Sequence, residues 1–348
     1  MSLVTFIVPA YNVQDYIVEC LESIMNQTSP NYDVVIVNDG STDEHTTEIC
    51  EKYKENFPKK IKYVYQKNKG LGAARNTGMK YVTTPWLVFL DSDDWIMPNY
   101  VEEFEKELKK FSEKQIDLFF TLPIIYENIT GGCRDWYDKN LFYQIFYEGN
   151  RIVNPEIDKR IYSLEVNACR RIYRKSFLEE LNFTFPEGVK WEDVYPHFYL
   201  LSHAVSCVGI QNIGFYYRTG TSGQITASTG KGRLDMIKVF AQTFEYILRN
   251  NLDKEIILIA MDLMVNFSRW SITVADVSTR KRLIRKLYLL YHSIPEQYIK
   301  EYCKVYRPEN KYFIKAIRTN YLQWTMEDYL VKDIVVKMIN KLKQRRGK

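Results

Sequence analysis

Nothing in this 348-residue chain marks a fold stapled by disulfides or zinc. The six cysteines, Cys20, Cys50, Cys133, Cys169, Cys207 and Cys303, are scattered, with no C-x-x-C pair and no close cluster with histidine. That pattern fits reduced thiols in a cytosolic protein. No apolar run approaches the ~20 residues of a membrane-spanning helix; the best, Leu118–Ile125, is short and carries Pro123. The opening segment Met1–Pro9 lacks the basic region of a signal peptide, so none is expected. There is no internal repeat and no low-complexity tract. A net positive charge is missing from the body of the chain. Residues 281–348 hold 17 Lys+Arg against 6 Asp+Glu, net +11, which leaves −6 for the rest. An acidic body argues against a nucleic-acid-binding core, whose working surface should be positive. A composition of 46% hydrophobic and 26% charged residues is that of a soluble globular protein of about two domains.

What the chain has is a buried-strand pattern that ends in acid. The run Trp86-Leu87-Val88-Phe89-Leu90 is followed at once by Asp91-Ser92-Asp93-Asp94. Carboxylates crowded at a strand end repel one another unless something cationic sits between them. A divalent ion carrying a polyphosphate is suited to that place, because hard cations take oxygen ligands and keep substrate phosphates in their shell. The alternative is an acidic loop with Asp94 capping the next helix.

Strand-like runs at Val4–Val8, Val34–Val37, Ile61–Tyr65, Trp86–Leu90 and Leu118–Ile125 alternate with helical periods in the first half. This order predicts a mostly parallel sheet with helices on both faces. Ligands of such sheets bind beyond the carboxyl ends of the strands. There the chain places Pro9-Ala10-Tyr11-Asn12, then Asn38-Asp39-Gly40-Ser41-Thr42-Asp43, then Gln66 to Asn76, then the acidic cluster. Tyr11 offers a ring on which a base can stack, Asp39 an acceptor for a base N–H or ribose hydroxyl, and Asp43 a cap for the next helix. Helix-like pieces follow near Leu164–Leu181 and Asp193–His203, and strand-like ones near Val205–Ile210 and Ile213–Tyr217. A Gly/Ser/Thr-rich stretch, Thr219–Gly232, marks a soft boundary before a helical C-terminal region. Gly70-Leu71-Gly72-Ala73-Ala74-Arg75 looks like a dinucleotide fingerprint, but Arg75 stands where Gly or Ala is wanted, and in the third βα unit instead of the first.

Taken as an ordered set, these segments resemble glycosyltransferase family 2, whose fold is GT-A. The similar runs are Val8–Asn12, Glu19–Thr28, Val37–Asp43, Asn68–Gly78 and Phe89–Asp94, covering about the first 110 residues. The resemblance then thins to Trp191-Glu192-Asp193 and Phe215-Tyr216-Tyr217-Arg218, with Ser222 and Ile225-Thr226. It implies an α/β GT-A fold with three regions: a nucleotide-sugar half at 1–110, an acceptor half at 111–230 and a basic helical region at 231–348.

The resemblance also implies roles. Pro9, Tyr11 and Asp39 would border the base and ribose, with Asn12, Asn68, Gly70 and Ser92 completing the donor-binding set. Arg75 would approach the base or phosphates, and Asp91 the ribose or the metal. Asp93 would ligate Mn²⁺ or Mg²⁺ on the diphosphate. Asp193 would be the general base, unless it only caps the helix that follows it. Some family members place a further histidine ligand after the position of Arg218; none stands there, and His197 and His203 are better read as core or helix-surface residues. The aromatics between Trp136 and Tyr217 are expected to form either a saccharide acceptor subsite or ordinary core. The basic C-terminus, ending Lys341–Lys348, is expected to dock on an anionic membrane or to form a solvated face with an oligomer contact. The implied reading is an inverting, metal-dependent transferase at the cytoplasmic face of a membrane. Its donor would be a nucleotide sugar, usually a uridine one, and its acceptor a saccharide or lipid-linked saccharide, with no nucleic-acid partner. The competing readings are a nucleotidyltransferase, which would want a Gly-rich basic loop after the first strand, and a non-catalytic sugar-nucleotide binder.

Overall fold

In the computed structural model, which describes residues 2–148, 151–221, 224 and 228–319, the β-branched runs become strands. The N-terminal half runs β1 (Val4–Ala10), α1 (Ile17–Met25), β2 (Tyr32–Asn38), α2 (Thr46–Asn56), β3 (Ile61–Tyr65), α3 (Leu71–Met79), β4 (Trp86–Phe89). There follow β5 (Trp95–Ile96), α4 (Tyr100–Lys110), β6 (Leu118–Glu127), β7 (Gly132–Asp135), α5 (Lys139–Phe146) and β8 (Ile152–Val153). Then come β9 (Arg171–Arg174), α6 (Lys175–Glu180), α7 (Val194–Leu201) and β10 (Cys207–Thr219). All belong to the first of two units, Met1–Gln224 and Ile225–Lys348.

One sheet carries the unit, in the order β3-β2-β1-β4-β9-β6-β10-β5, with β7 on β6 and β8 on β10. The first four strands are parallel, as expected. The second half is mixed: β9 runs antiparallel to both β4 and β6, and β5 antiparallel to β10. Strand order reverses between β1 and β4, and the carboxyl ends there form the crevice in which such sheets bind ligands. Side-chain alternation divides the two faces. Phe6, Val8 and Ala10 pack with Ile17, Leu21, Val101 and Phe104 of the covering helices, whereas Val35 and Val37 pack on Ala74 of α3.

Four readings of the sequence need correction. The helix-like stretch Leu164–Leu181 contains β9, a short central strand whose buried Arg171-Ile172-Tyr173 shows too few alternations to be told from a helix. The two strand pieces near 205–217 are one long bulged strand, β10. Pro9 does not end β1: it pairs in register with Val37 and lies beyond the last residue matched to β4. One helix also reaches spanning length, α9 below.

The second unit is helical: α8 (Asp235–Arg249), α9 (Lys254–Val274), α10 (Val277–Ser293), α11 (Glu296–Glu301) and α12 (Lys311–Arg318). α9 has 21 residues, and its apolar side chains, Ile257, Met261, Met264, Val265 and Ile272 among them, are buried in the packing of the unit. The strongly basic end of the chain, including Lys341–Lys348, lies outside the described residues.

α3 is the helix that positions the site, and two glycines let it. A Cβ on Gly72 would stand 2.2 Å from the Pro186 carbonyl oxygen, and one on Gly78 2.3 Å from Ile7 Cγ2 on β1. Alanine for glycine inside a helix ordinarily stabilises by about 0.5–1 kcal/mol. Overpacking costs about 1–3 kcal/mol, so at Gly78 the sign should invert. Gly78→Ala is expected to lower the urea midpoint, and to lower it less when Ile7→Ala has already cleared the space. A raised midpoint for the single variant would contradict this packing.

Candidate active site

The loops beyond the carboxyl ends of β1, β2 and β3 hold one another. Asn12, at φ 52°, accepts from the backbone N–H of Thr42 at 2.7 Å and of Asp43 at 3.1 Å. Asp43 accepts from the N–H of Thr46, the first residue of α2, at 3.1 Å. Asp39 is 3% exposed and accepts three hydrogen bonds: Gln66 Nε2 at 2.7 Å, Lys69 N at 2.9 Å and Gly70 N at 2.8 Å. Gly40, at φ 72°, lets the loops close up, since a Cβ there would meet Asn68 N at 2.7 Å. Asn12 and Asp39 therefore order the loops beyond these strands. Pro9 is buried in β1, Tyr11 is 46% exposed, and Asn68 is exposed.

The three carboxylates after β4 meet their mutual repulsion in three ways. Asp91 Oδ1 accepts from Arg75 Nη2 at 2.8 Å. Asp94 is 1% exposed, and burial, with the charges of Asp93 and Asp91, holds its carboxyl well above the usual range. Its Oδ1 accepts from Arg218 N at 2.8 Å, and its buried Oδ2 has no hydrogen-bond partner. A neutral carboxyl suits that environment. Asp93 is left between. Burial first, then Asp91, push its carboxyl up to about 6, and Thr221 Oγ1 donates to its Oδ2 at 3.4 Å. Ser92 is buried within the turn.

Arg75, expected toward the donor, is instead an internal tie. It is 2% exposed, and its second terminal nitrogen donates to Glu192 Oε1 at 2.6 Å. Burial acts to lower its pKa, but Asp91 and Glu192 outweigh that and hold it above its ordinary value. One guanidinium thus joins the end of β4 to the segment before α7. Asn76, one residue on, accepts from Phe185 N at 2.8 Å and donates to Glu187 at 2.9 Å, fastening the same segment.

Asp193 follows Glu192 and precedes α7. Its main-chain oxygen accepts from His197 N at 3.0 Å, but its carboxylate makes no capping hydrogen bond, so capping does not account for it. Burial first, then the adjacent Glu192 charge, push this carboxyl up to about 7; Arg75 opposes and Asp91 adds to the rise. Asp93 and Asp193 both feel the charge of Asp91, so the acidic turn and Asp193 share one neighbourhood. Trp191 beside them holds φ 59°, a strained backbone for an aromatic residue.

Neither His197 nor His203 joins this group. His197 is fully buried against Arg171 and Tyr162, and burial and Arg171 push its imidazole well below its ordinary value. His203 lies just past the end of α7, its ring nitrogen near Tyr199 O. Among the described residues no group of three or more His, Cys, Asp or Glu side chains is set to hold a metal. The residues that remain, Asp93 with Asp91, offer hard oxygen atoms, the donor type that suits a divalent ion taking its other ligands from a diphosphate. Trp136, Tyr162 and Tyr173 are buried core aromatics, whereas Tyr137 is 60% exposed.

Three organising residues had no role assigned from sequence. Glu192 was visible only as a neighbour of Asp193. Asn76 was visible only as a member of the Asn68–Gly78 run. Arg218 binds Asp93 O at 2.8 Å and Asn128 Oδ1 at 3.0 Å, pairs with Glu19 and covers the Trp95 ring at 4.4 Å; a cation closing the Phe215–Arg218 run was its one signal. Ser222, Ile225 and Thr226 lie outside the described residues.

Comparison with known proteins agrees with this geometry. Residues 5–158 match the model of glycosyl transferase family 2. Glycosyltransferase GlyA of Streptococcus pneumoniae serotype 4 is 33% identical over 231 residues, 64% of this chain and 32% of the relative. Putative glycosyltransferase EpsH of Bacillus subtilis is 32% identical over 198 residues, 56% of this chain and 54% of the relative. The chain thus aligns with between a third and about half of the length of these curated relatives. A crystal structure of S. aureus TarS 1–349 in complex with UDP-GlcNAc superimposes with a TM-score of 0.73 at 20% identity, covering 95% of this chain and 92% of that one. The sheet with its helices is a GT-A fold, and residues 5–158 within it are similar to glycosyltransferase family 2.

Proposed function

We propose that this chain is an inverting glycosyltransferase that moves a sugar from a nucleotide-diphosphate sugar to an acceptor hydroxyl of a saccharide or lipid-linked saccharide. The observation that carries the reading is the Arg75 tie, which brings the acidic turn after β4 and the Glu192-Asp193 pair to the same guanidinium. A uridine donor is the preferred one. It is supported by the fold shared with TarS, itself solved with UDP-GlcNAc, and by an exposed Tyr11 beside loops ordered by Asp39.

Asp93, with Asp91, would hold Mn²⁺ or Mg²⁺, which as a Lewis acid stabilises the negative charge gathering on the leaving nucleoside diphosphate. Asp193 takes the proton of the acceptor hydroxyl as that oxygen attacks the anomeric carbon. The carbon–oxygen bond to the diphosphate breaks on the opposite face, which inverts the centre. A base so placed contributes about 10²–10⁴-fold. A carboxyl raised to about 7 is matched to that task, since proton transfer is best near the working pH. Arg75 keeps Glu192 and Asp91 in place and does not meet the substrate. The reaction would take place at the cytoplasmic face of a membrane.

Transfer from a panel of UDP- and GDP-sugars, read with and without Mn²⁺, tests the proposal, and no signal from any donor would overturn it. Asp193→Asn is expected to cut turnover at least 10²-fold while donor affinity by calorimetry stays unchanged. Undiminished function in that variant would instead identify a non-catalytic binder. The wild-type rate should rise with pH and level off above about 7, where Asp193 is ionised. The same raised pKa costs stability. Below the unfolded carboxyl's pKa of roughly 3.9 both states are protonated, and above about 7 both are ionised and the cost is complete. Asp193→Asn should therefore raise the melting temperature more at about pH 8 than at about pH 5; equal shifts would contradict the assignment. Chelation with EDTA is expected to abolish transfer and added Mn²⁺ or Mg²⁺ to restore it, and full activity in EDTA would remove the metal from the mechanism.

A further inference from the structure

The helix α10 buries one face, Leu283, Ile284, Leu287, Leu290 and Tyr291, in the second unit. Its other face is cationic without a counter-charge. Val277–Ser293 contains Arg280, Lys281, Arg282, Arg285 and Lys286 and no acidic residue. Lys281, Arg282, Arg285 and Lys286 are exposed, and none makes an ion pair with a carboxylate of the described residues. Residues four apart on a helix are neighbours. Lys281 therefore stands beside Arg285, and Arg282 beside Lys286, two like-charge pairs that destabilise the helix and gain nothing within the unit.

Leu289 is 65% exposed, four residues beyond Arg285 and three beyond Lys286, so it stands between the two basic rows. Val277, 67% exposed, flanks the same face. A solvated surface helix intersperses both signs of charge, and a site for a soluble polyanion has no use for a leucine amid its cations. A helix lying in a bilayer interface wants both, basic side chains for anionic headgroups and an apolar group for the acyl boundary.

We propose that the exposed face of α10 is a docking surface for an anionic lipid bilayer, with Lys281, Arg282, Arg285 and Lys286 on the headgroups and Leu289 inserted between them. The surface is built in the second unit and does not depend on the reaction assigned to the first. Each basic residue at such a surface strengthens binding about fivefold, and salt weakens it.

Co-sedimentation of the full chain with phosphatidylcholine vesicles, with and without phosphatidylglycerol, tests this. The variants are Lys281→Gln/Arg282→Gln/Arg285→Gln/Lys286→Gln and Leu289→Ser, each checked for an unchanged thermal melt. Every residue beyond Thr319 is present in all of them, so differences report on α10. Wild type should bind the phosphatidylglycerol vesicles in a salt-sensitive way and the fourfold variant more than tenfold more weakly. Leu289→Ser should lose affinity severalfold for vesicles yet bind soluble inorganic polyphosphate as wild type does. No wild-type binding, or undiminished binding by the fourfold variant, would overturn the proposal. So would an unaffected Leu289→Ser together with lost polyphosphate binding by the fourfold variant, which would make the face a site for a soluble polyanion.

Discussion

A single buried guanidinium sets the geometry on which the site depends. Arg75 is out of water, and that is costly unless both terminal nitrogens find carboxylates. They find Asp91 and Glu192, 101 positions apart in the chain. Removing one partner of such a buried group typically costs about 3–5 kcal/mol, whereas replacing the whole set with well-packed apolar residues is often neutral. Stability alone therefore does not explain an ionic tie in this place. What it provides is position: the acidic turn after β4 and the Glu192-Asp193 pair ahead of α7 cannot drift apart while Asp91 and Glu192 hold the same cation.

The four acids around this tie meet their charge in different ways. Asp91 is neutralised by contact, Asp94 by burial, and Asp93 and Asp193 keep carboxyls raised towards neutrality. Two raised carboxyls beside the Asp91 charge are a costly arrangement, and the left-handed backbone at Trp191 adds strain to it. Strain of this kind persists where the surrounding structure over-determines it, and here α3 does so through Arg75, Asn76 and the close contact at Gly72.

Much of the first unit was legible because its signals are local. Strand-like runs of four or five residues with polar turns marked β1 to β4, and the strand-end rule pointed at the loops that carry Asp39, Gly70 and Asp91. β9 was not legible: four residues set directly between a 3₁₀ turn at Ala168–Arg170 and α6 show no period, and its place between β4 and β6 is set by partners distant in sequence. The direction of Arg75 was hidden for the same reason. A motif puts a cation near phosphate-binding loops, but whether it faces the ligand or the interior depends on Glu192, which no local pattern connects to it. Asp193 was legible as a residue, while its freedom from capping emerged from the helix geometry.

Gly72 has a consequence for anyone recombining this protein with a relative. Because its missing Cβ is replaced in space by the Pro186 carbonyl, the helix that opens at Leu71 and the stretch leading to Asp193 occupy one mould. A chimera that imports a foreign α3 with the loop before it must bring its matching 185–193 stretch, or the two pieces will collide along their backbones.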